Sequence, residues 1–130
     1  MKKFILLIIL LLFIGGCGQK DVVNFNEDST LVIESLVNSA DYEVTNEIKD
    51  KETVQKVIDI LKGAKWQKNV EVNMESEPDL KLNKIYHIWI SPQENILEII
   101  DTNNKNYGSF SKTDSSSLYK ILIGKELGSN

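Results

Sequence analysis

The amino-terminal segment sets which residues are available to a folded domain. Met1 is followed by two lysines, by eleven apolar residues from Phe4 to Ile14, and by two glycines. This order of charged, apolar and small residues is typical of a secretion signal. An eleven-residue helix is about 16 Å long, whereas a bilayer core is about 30 Å thick, so the run is too short for a permanent span. We therefore predict a signal peptide over residues 1–16.

A cysteine follows this segment directly. Ile14-Gly15-Gly16-Cys17 closely resembles the bacterial lipobox, in which a branched apolar residue and two small residues precede the cysteine. The resemblance implies cleavage after Gly16 and an S-diacylglyceryl group on Cys17, with possible N-acylation, for example by palmitate. The alternative is a buried free thiol, because the chain has no second cysteine for a disulfide. Two acyl chains hold a protein firmly at a membrane, whereas one chain holds it only marginally.

The predicted location is the extracytoplasmic face of the plasma membrane, reached through the lipid anchor. Lysine is abundant, arginine is absent, and Gly18 rather than an aspartate follows the cysteine. This pattern favours a Gram-positive lipoprotein. Residues 17–29 are predicted to be a lipidated tether, because they are polar and weakly patterned.

Charge excludes one class of partner. Removing residues 1–16 leaves 114 of the 130 residues and takes the formal charge from −4 to −6, since Lys2 and Lys3 are lost. That length suits one domain. An acidic surface is repelled by anionic lipid, and without arginine there are no forked contacts to phosphate or guanine. We therefore predict no nucleic-acid partner, and membrane contact through the anchor only.

The period of the apolar residues predicts a single α+β domain over residues 30–127. Asp50 is a good helix N-cap and Gly63 a good stop, and between them apolar residues recur at helical spacing: Val54, Val57, Ile58 and Leu61. A second helix starts at Thr113 or Asp114. Strands are predicted over residues 30–37, 42–49, 66–72, 85–90, 96–101 and 106–110. We expect a largely antiparallel sheet of about five strands with both helices on one face.

The turns predict which residues share a sheet face. A five-residue turn over residues 91–95 pairs Ile90 with Ile96, and a two-residue turn at Asn103-Asn104 pairs Ile100 with Tyr107. This register places Tyr86, Glu98 and Tyr107 together on the face opposite the helices. Tyrosines on a rigid sheet give contact area at a small entropic cost. These three residues are therefore the predicted binding face.

No catalytic motif is present, and neither a cofactor nor a metal is predicted. The sequence lacks a Gly-x-Ser-x-Gly elbow, a His-Glu-x-x-His helix, a phosphate loop and a Cys-x-x-Cys pair. His87, the single histidine, is interpreted as a strand residue with a hydrogen-bonding neighbour rather than as a ligand or base. The acidic run from Glu75 to Asp79 is interpreted as a solvated loop, residues 101–104 as a hairpin turn, and residues 115–117 as helix-start hydroxyls.

Several short motifs together resemble a known family. Pro78-Asp79, Tyr86-His87-Ile88-Trp89-Ile90, the stretch from Asp101 to Tyr107 and the stretch from Ser116 to Leu122 resemble the YhfM-like lipoproteins of Bacillus-type bacteria. The resemblance covers roughly residues 42–123 and the lipid-anchored architecture. It implies a small extracytoplasmic α+β domain, and it carries no catalytic residue to this chain.

These observations favour a non-catalytic binding or accessory module that engages a protein or envelope component. One alternative is a hydrolase of an envelope polymer, which needs a carboxylate pair such as Glu98 with Asp101 or Glu94. The predicted register puts Glu98 and Asp101 on opposite faces, which disfavours that pair. Another alternative is a small inhibitor of an extracellular enzyme, with residues 91–95 as the protruding loop.

Overall fold

The computed structural model describes residues 23–69 and 71–129. Its helices and strands follow changes in the period of the apolar residues. The predicted signal peptide and Cys17 lie outside the described residues. The strands are β1 (Leu31–Leu36), β2 (Tyr42–Ile48), β3 (Lys65–Gln67), β4 (Leu80–Leu82), β5 (Tyr86–Ile90), β6 (Leu97–Asp101) and β7 (Asn106–Ser109). The helices are α1 (Lys51–Lys62) and α2 (Lys112–Ile123).

The described residues confirm the α+β class, but their sheet has seven strands rather than about five. Its order is β2-β1-β4-β5-β6-β7-β3, and every neighbouring pair is antiparallel. No strand is predicted over the residues of β4, and β3 ends at Gln67 rather than at the predicted Val72. A strand of three residues is too short to show a period, so pairing with neighbours defines it.

Helix α1 forms as predicted because both of its ends are satisfied locally. The Asp50 carboxylate accepts a hydrogen bond from the Thr53 backbone N–H at 3.0 Å, and the Gly63 N–H donates to the Asp59 and Ile60 carbonyls. The predicted apolar stripe is buried: Val54, Val57, Ile58 and Leu61.

Helix α2 starts earlier than predicted. The Ser111 hydroxyl, rather than Thr113 or Asp114, caps it by accepting from the Asp114 N–H at 3.1 Å. Leu118 and Leu122 are fully buried between this helix and the sheet. Both helices therefore contribute to one core, which covers one face of the sheet.

The residues before β1 belong to the folded domain. Val23 is only 7% exposed and packs in the core. The Asn24 N–H donates to the Tyr86 hydroxyl at 2.9 Å, and the Phe25 ring contacts the Tyr86 ring edge to face. We call residues 23–25 the N-terminal strap. Residues 23–25, which were predicted to lie in the tether, therefore pack on the folded domain.

The β5–β6 register differs by one residue from the predicted one. Ile90 pairs with Leu97, and Tyr86 pairs with Asp101. The connecting turn holds four residues, because Ser91 pairs with Ile96: the Ser91 N–H donates to the Ile96 carbonyl at 2.8 Å, and the Ser91 hydroxyl accepts from the Ile96 N–H at 3.2 Å. A one-residue shift moves every side chain of a strand to the other face.

The next pairing agrees with the prediction, since Ile100 lies opposite Tyr107. The face of the sheet that packs against the helices, here called the core face, carries Tyr86, Ile88, Leu97, Ile99 and Phe110. The opposite face, here called the outer face, carries His87, Trp89, Glu98, Ile100, Tyr107 and Ser109.

Strand β2 lies at one edge of the sheet, where the predicted alternation of buried and exposed residues breaks. Val44 pairs with Glu34 and Asn46 pairs with Ile33, so no residue of β1 lies directly opposite Thr45. Thr45 therefore forms a bulge. Val44 is 58% exposed as a result. Bulges at a sheet edge hinder pairing with further strands. No helix among the described residues is long and apolar enough to cross a membrane.

Candidate binding cleft on the outer face

The polar centre of the outer face is a side-chain pair formed across β6 and β7. Glu98 lies opposite Ser109, and Tyr107 lies opposite Ile100, so Glu98 and Tyr107 are diagonal neighbours on one face. The Tyr107 hydroxyl donates to Glu98 Oε1 at 2.5 Å. Both side chains are half-buried.

Burial and the neighbouring carboxylate both act on Tyr107. The pKa of Tyr107 is raised to about 12, mainly by burial and to a smaller extent by the hydrogen bond and the negative charge of Glu98. The phenol therefore keeps its proton at neutral pH and stays the donor of this pair. Glu98 is consequently held in position by a neutral partner rather than by a cation.

The hydrogen-bonding atoms that the Glu98–Tyr107 pair still offers to a ligand are acceptors. Tyr107 uses its one hydroxyl proton on Glu98 Oε1. Within residues 23–69 and 71–129, no side chain or backbone N–H donates to Glu98 Oε2 or to the Tyr107 oxygen. Glu98 Oε2 is not enclosed, since no buried side-chain polar atom of the described residues is without a partner, and Tyr107 lines the cleft beside it. A ligand at this point must bring hydrogen-bond donors.

A cleft of about 580 Å³ opens at this pair. Its floor is the outer face of β6 and β7, and one wall is the turn that follows β5. Lys65, at the edge of the cleft, contributes the positive charge of its lining. The lining residues are Lys65, Ser91, Pro92, Gln93, Ile96, Glu98, Tyr107, Ser109, Phe110 and Ser111.

A second cavity, of about 320 Å³, lies on the other side of Tyr107. It is lined by Ile100, Thr102, Lys105 and Tyr107 from the sheet and its hairpin, and by Glu71, Val72 and Asn73 from the segment after β3. Tyr107 therefore stands between two depressions. Together they run along β6 and β7.

Tyr86, which was predicted to share this face, does not belong to the cleft. It is 0% exposed and lies on the core face, where its hydroxyl accepts from Asn24. Burial raises the pKa of Tyr86. The physical reason is the four-residue turn, which exchanges the faces of β5 relative to Glu98. The predicted binding face thus retains Glu98 and Tyr107 and loses Tyr86.

His87 takes the place on the outer face that was predicted for Tyr86, but it lies outside the cleft lining. Its ring is 6.2 Å from the Trp89 ring, and burial, followed by the charge of Lys81, lowers its pKa. Trp89 is 6% exposed, and its indole N–H donates to the Ser76 carbonyl at 2.9 Å. The segment before β4 therefore covers this part of the outer face and leaves the β6–β7 part open.

Among the residues that line the cleft, Glu98 is the one carboxylate. Asp101 is buried on the core face and accepts from the Asn103 and Asn104 N–H groups, as a hairpin turn requires. Asp79 accepts from the Ile90 N–H at 2.7 Å, so it braces β5. In the part of the chain that the structure describes, no three His, Cys, Asp or Glu residues are grouped to hold a metal ion.

Several residues that build the cleft are not predicted to do so. Ser91 lies in the predicted turn, and both its backbone and its hydroxyl close the turn that forms the wall. Ser115 is fully buried, and its hydroxyl accepts from the Leu97 N–H at 2.9 Å, which fixes the start of β6 against α2. No pattern in the sequence signals these contacts, because they join residues that the fold brings together.

Known proteins provide no further evidence about this site. Comparisons with protein-family models, with curated proteins and with solved structures find no match for this chain. The resemblance to the YhfM-like lipoproteins stays a prediction.

Proposed function

We propose that the protein is a lipid-anchored extracytoplasmic module that binds a protein or envelope component and has no catalytic role. The proposed contact surface is the cleft around Glu98 and Tyr107. One observation carries this proposal: a half-buried carboxylate, positioned by a tyrosine, offers free acceptors at the centre of an open cleft. The lipid anchor on Cys17, at the outer face of a Gram-positive plasma membrane, remains part of the proposal.

The alternative of an envelope-polymer hydrolase finds less support. Paired carboxylates in glycoside hydrolases must flank one bond at a separation of roughly 5–10 Å on the same side of the protein. Glu98 and Asp101 lie on opposite faces, and Asp101 is enclosed by its own turn. The inhibitor alternative rests on residues 91–95, which form the cleft wall rather than an isolated loop.

The anchor would hold this domain close to the membrane. Val23 is six residues after Cys17, and six extended residues span at most about 22 Å. The N-terminal strap packs on the core face, whereas the cleft lies on the outer face. The proposal therefore leaves the cleft open to a partner while the domain is anchored.

Photo-crosslinking in cells tests the contact surface. A photoreactive amino acid replaces Gln93, an exposed residue of the cleft lining, in the anchored protein, with Lys56 on the exposed side of α1 as the control position. A discrete adduct from position 93 but not from position 56 is expected. Adducts that are equal at both positions, or absent from position 93, would contradict the proposed surface.

Release from cells tests the anchor. We expect Cys17→Ser to abolish incorporation of labelled palmitate and to shift the protein from the membrane fraction to the medium. Ser substitution keeps the side chain small but removes the sulfur that forms the thioether. Retention of the Cys17→Ser protein in the membrane fraction would contradict lipid anchoring.

A further inference from the structure

The cleft chemistry allows a more specific statement, which rests on the proposed function. We infer that the cleft binds an extended peptide segment through one basic side chain, whose ammonium or guanidinium group is held by Glu98 and Tyr107.

The acceptor atoms of the Glu98–Tyr107 pair require a ligand that donates hydrogen bonds. Tyr107 commits its only proton to Glu98 Oε1, and the pair then presents Oε2 and the phenol oxygen as acceptors. An ammonium carries three donors and a guanidinium five, and neither carries an acceptor. A ligand carboxylate or carbonyl would instead face Glu98 with no proton between them.

Charge favours a cation over a neutral donor. Hydrogen bonds from a cation to a carboxylate are roughly twice as strong as neutral ones. Glu98 is half-buried, and its nearest hydrogen-bonding partner is a neutral phenol. The carboxylate therefore has no counter-ion among the described residues. The rest of the cleft lining contributes only Lys65, which is exposed to solvent, so water screens its charge.

The apolar lining suits the stem of a lysine or arginine side chain. Pro92, which is exposed, and Ile96, which is half-buried, line the same cleft as Glu98. Long basic side chains bury their methylene stems against apolar surface and keep the charged head at polar groups. The cleft thus offers both parts of such a side chain a matching environment.

The length of the depression favours a peptide over a free amine. Residues that face outward recur at every second position, at Ile96 just before β6 and at Glu98 and Ile100 within it, with a spacing of about 6.6 Å. The cleft and the second cavity continue along this row. An extended peptide repeats at the same spacing, so a residue two positions from the basic one can reach the second cavity. Lys65 lies level with Glu98 two strands away, and Lys105 lines the second cavity, so both disfavour a further basic residue beside them.

Calorimetric titration tests the inference on the lipidated protein in nanodiscs of zwitterionic lipid. The probes are four N-acetylated pentapeptide amides of alanine, whose central residue is lysine, arginine, norleucine or N-acetyl-lysine. We expect the lysine or arginine peptide to bind at least tenfold more tightly than the norleucine and acetyl-lysine peptides. Glu98→Gln should abolish this preference, whereas Glu47→Gln, an exposed carboxylate on β2, should keep it.

The remaining outcomes each decide the question. Equal binding of the four peptides, binding of none, or an unchanged preference in Glu98→Gln would overturn the inference. Binding of a neutral chitin tetrasaccharide without any preference for the basic peptides would also overturn it, and would assign the cleft to neutral polymers. The thermal midpoint of each variant, measured alongside, shows that a lost preference does not come from unfolding.

The crosslinking experiment keeps the two proposals apart. An adduct from position 93 in cells, together with no preference for the basic peptides, leaves the proposed function standing and removes the ligand class. Loss of both the adduct and the preference removes both proposals.

Discussion

Tyr86 and Tyr107 show how differently the two sheet faces use the same side chain. Tyr86 is fully enclosed on the core face, and its hydroxyl accepts from the N-terminal strap. Tyr107 is half-buried on the outer face, and its hydroxyl donates to Glu98 at the cleft. Burial raises the pKa of both phenols. The sheet face on which a tyrosine lies, rather than its residue type, therefore separates a structural tyrosine from a candidate binding one.

The largest expected difference between the faces comes from two adjacent residues of β6. Ile99 is fully buried on the core face, whereas Ile100 is half-buried on the outer face. Ile99→Ala should lower the free energy of unfolding by about 2–5 kcal/mol, because it leaves a cavity in packed surroundings. Ile100→Ala should cost less than about 1 kcal/mol, because water can fill the space. Urea denaturation measures both, and similar losses would contradict the assignment of faces.

The next pair lies on β7 and tests close packing. A Cβ on Gly108 would come within 3.1 Å of both Ile99 and Trp66. Gly108→Ala should therefore lower the free energy of unfolding by about 1–3 kcal/mol through overpacking. Its neighbour Ser109 faces the cleft, so we expect Ser109→Ala to change stability by no more than about 0.5 kcal/mol. A neutral effect of Gly108→Ala would show that Trp66 is free to move away.

Removing the hydroxyls sharpens the comparison of the two tyrosines. Tyr86→Phe leaves the Asn24 N–H without this acceptor and should cost about 1–2 kcal/mol of unfolding free energy. Tyr107→Phe should cost less, about 0.5–1 kcal/mol, because water can reach Glu98 in its place. Equilibrium denaturation at neutral pH measures both. A larger loss for Tyr107→Phe would indicate that the Glu98 pair is structural rather than available to a ligand.

The smallest expected effect appears only at high pH. The pKa of Tyr107 is raised from 10.0 in the unfolded chain to about 12 in the fold. The protonated phenol therefore adds stability that is fully present below pH 10 and is lost as pH rises through 12. Because other groups titrate in this range, the quantity to measure is the difference in unfolding free energy between the wild type and Tyr107→Phe. That difference should shrink between pH 10 and 12, and a constant difference would contradict the raised pKa.

Local features explain which parts of the fold could be predicted. Helix α1 needs only its apolar period and the cap at Asp50, all within a few residues of one another. The hairpin between β6 and β7 follows from the Asp101 side chain, which binds the N–H groups of its own turn. These interactions are set by neighbours along the chain, so sequence patterns report them directly.

The register of β5 and β6 could not be predicted from hydropathy. Strand β5 has apolar or aromatic residues at every position from Tyr86 to Ile90, so either parity can face a core. The decision lies in the turn, where Ser91 pairs with Ile96 and Glu94 adopts a left-handed conformation at φ 57°. A turn one residue longer would place Tyr86 on the same face as Glu98.

Sequence patterns alone predict the α+β class, the position of α1, the register of β6 with β7, and the shared face of Glu98 and Tyr107. Contacts between distant parts of the chain set which face Tyr86 occupies, how the strap and β4 join the sheet, and where the cleft opens. The reason is physical: a helix is satisfied by contacts within itself, whereas a sheet face is chosen by partners distant in the chain. One additional residue in a turn is enough to exchange a core side chain for a binding one.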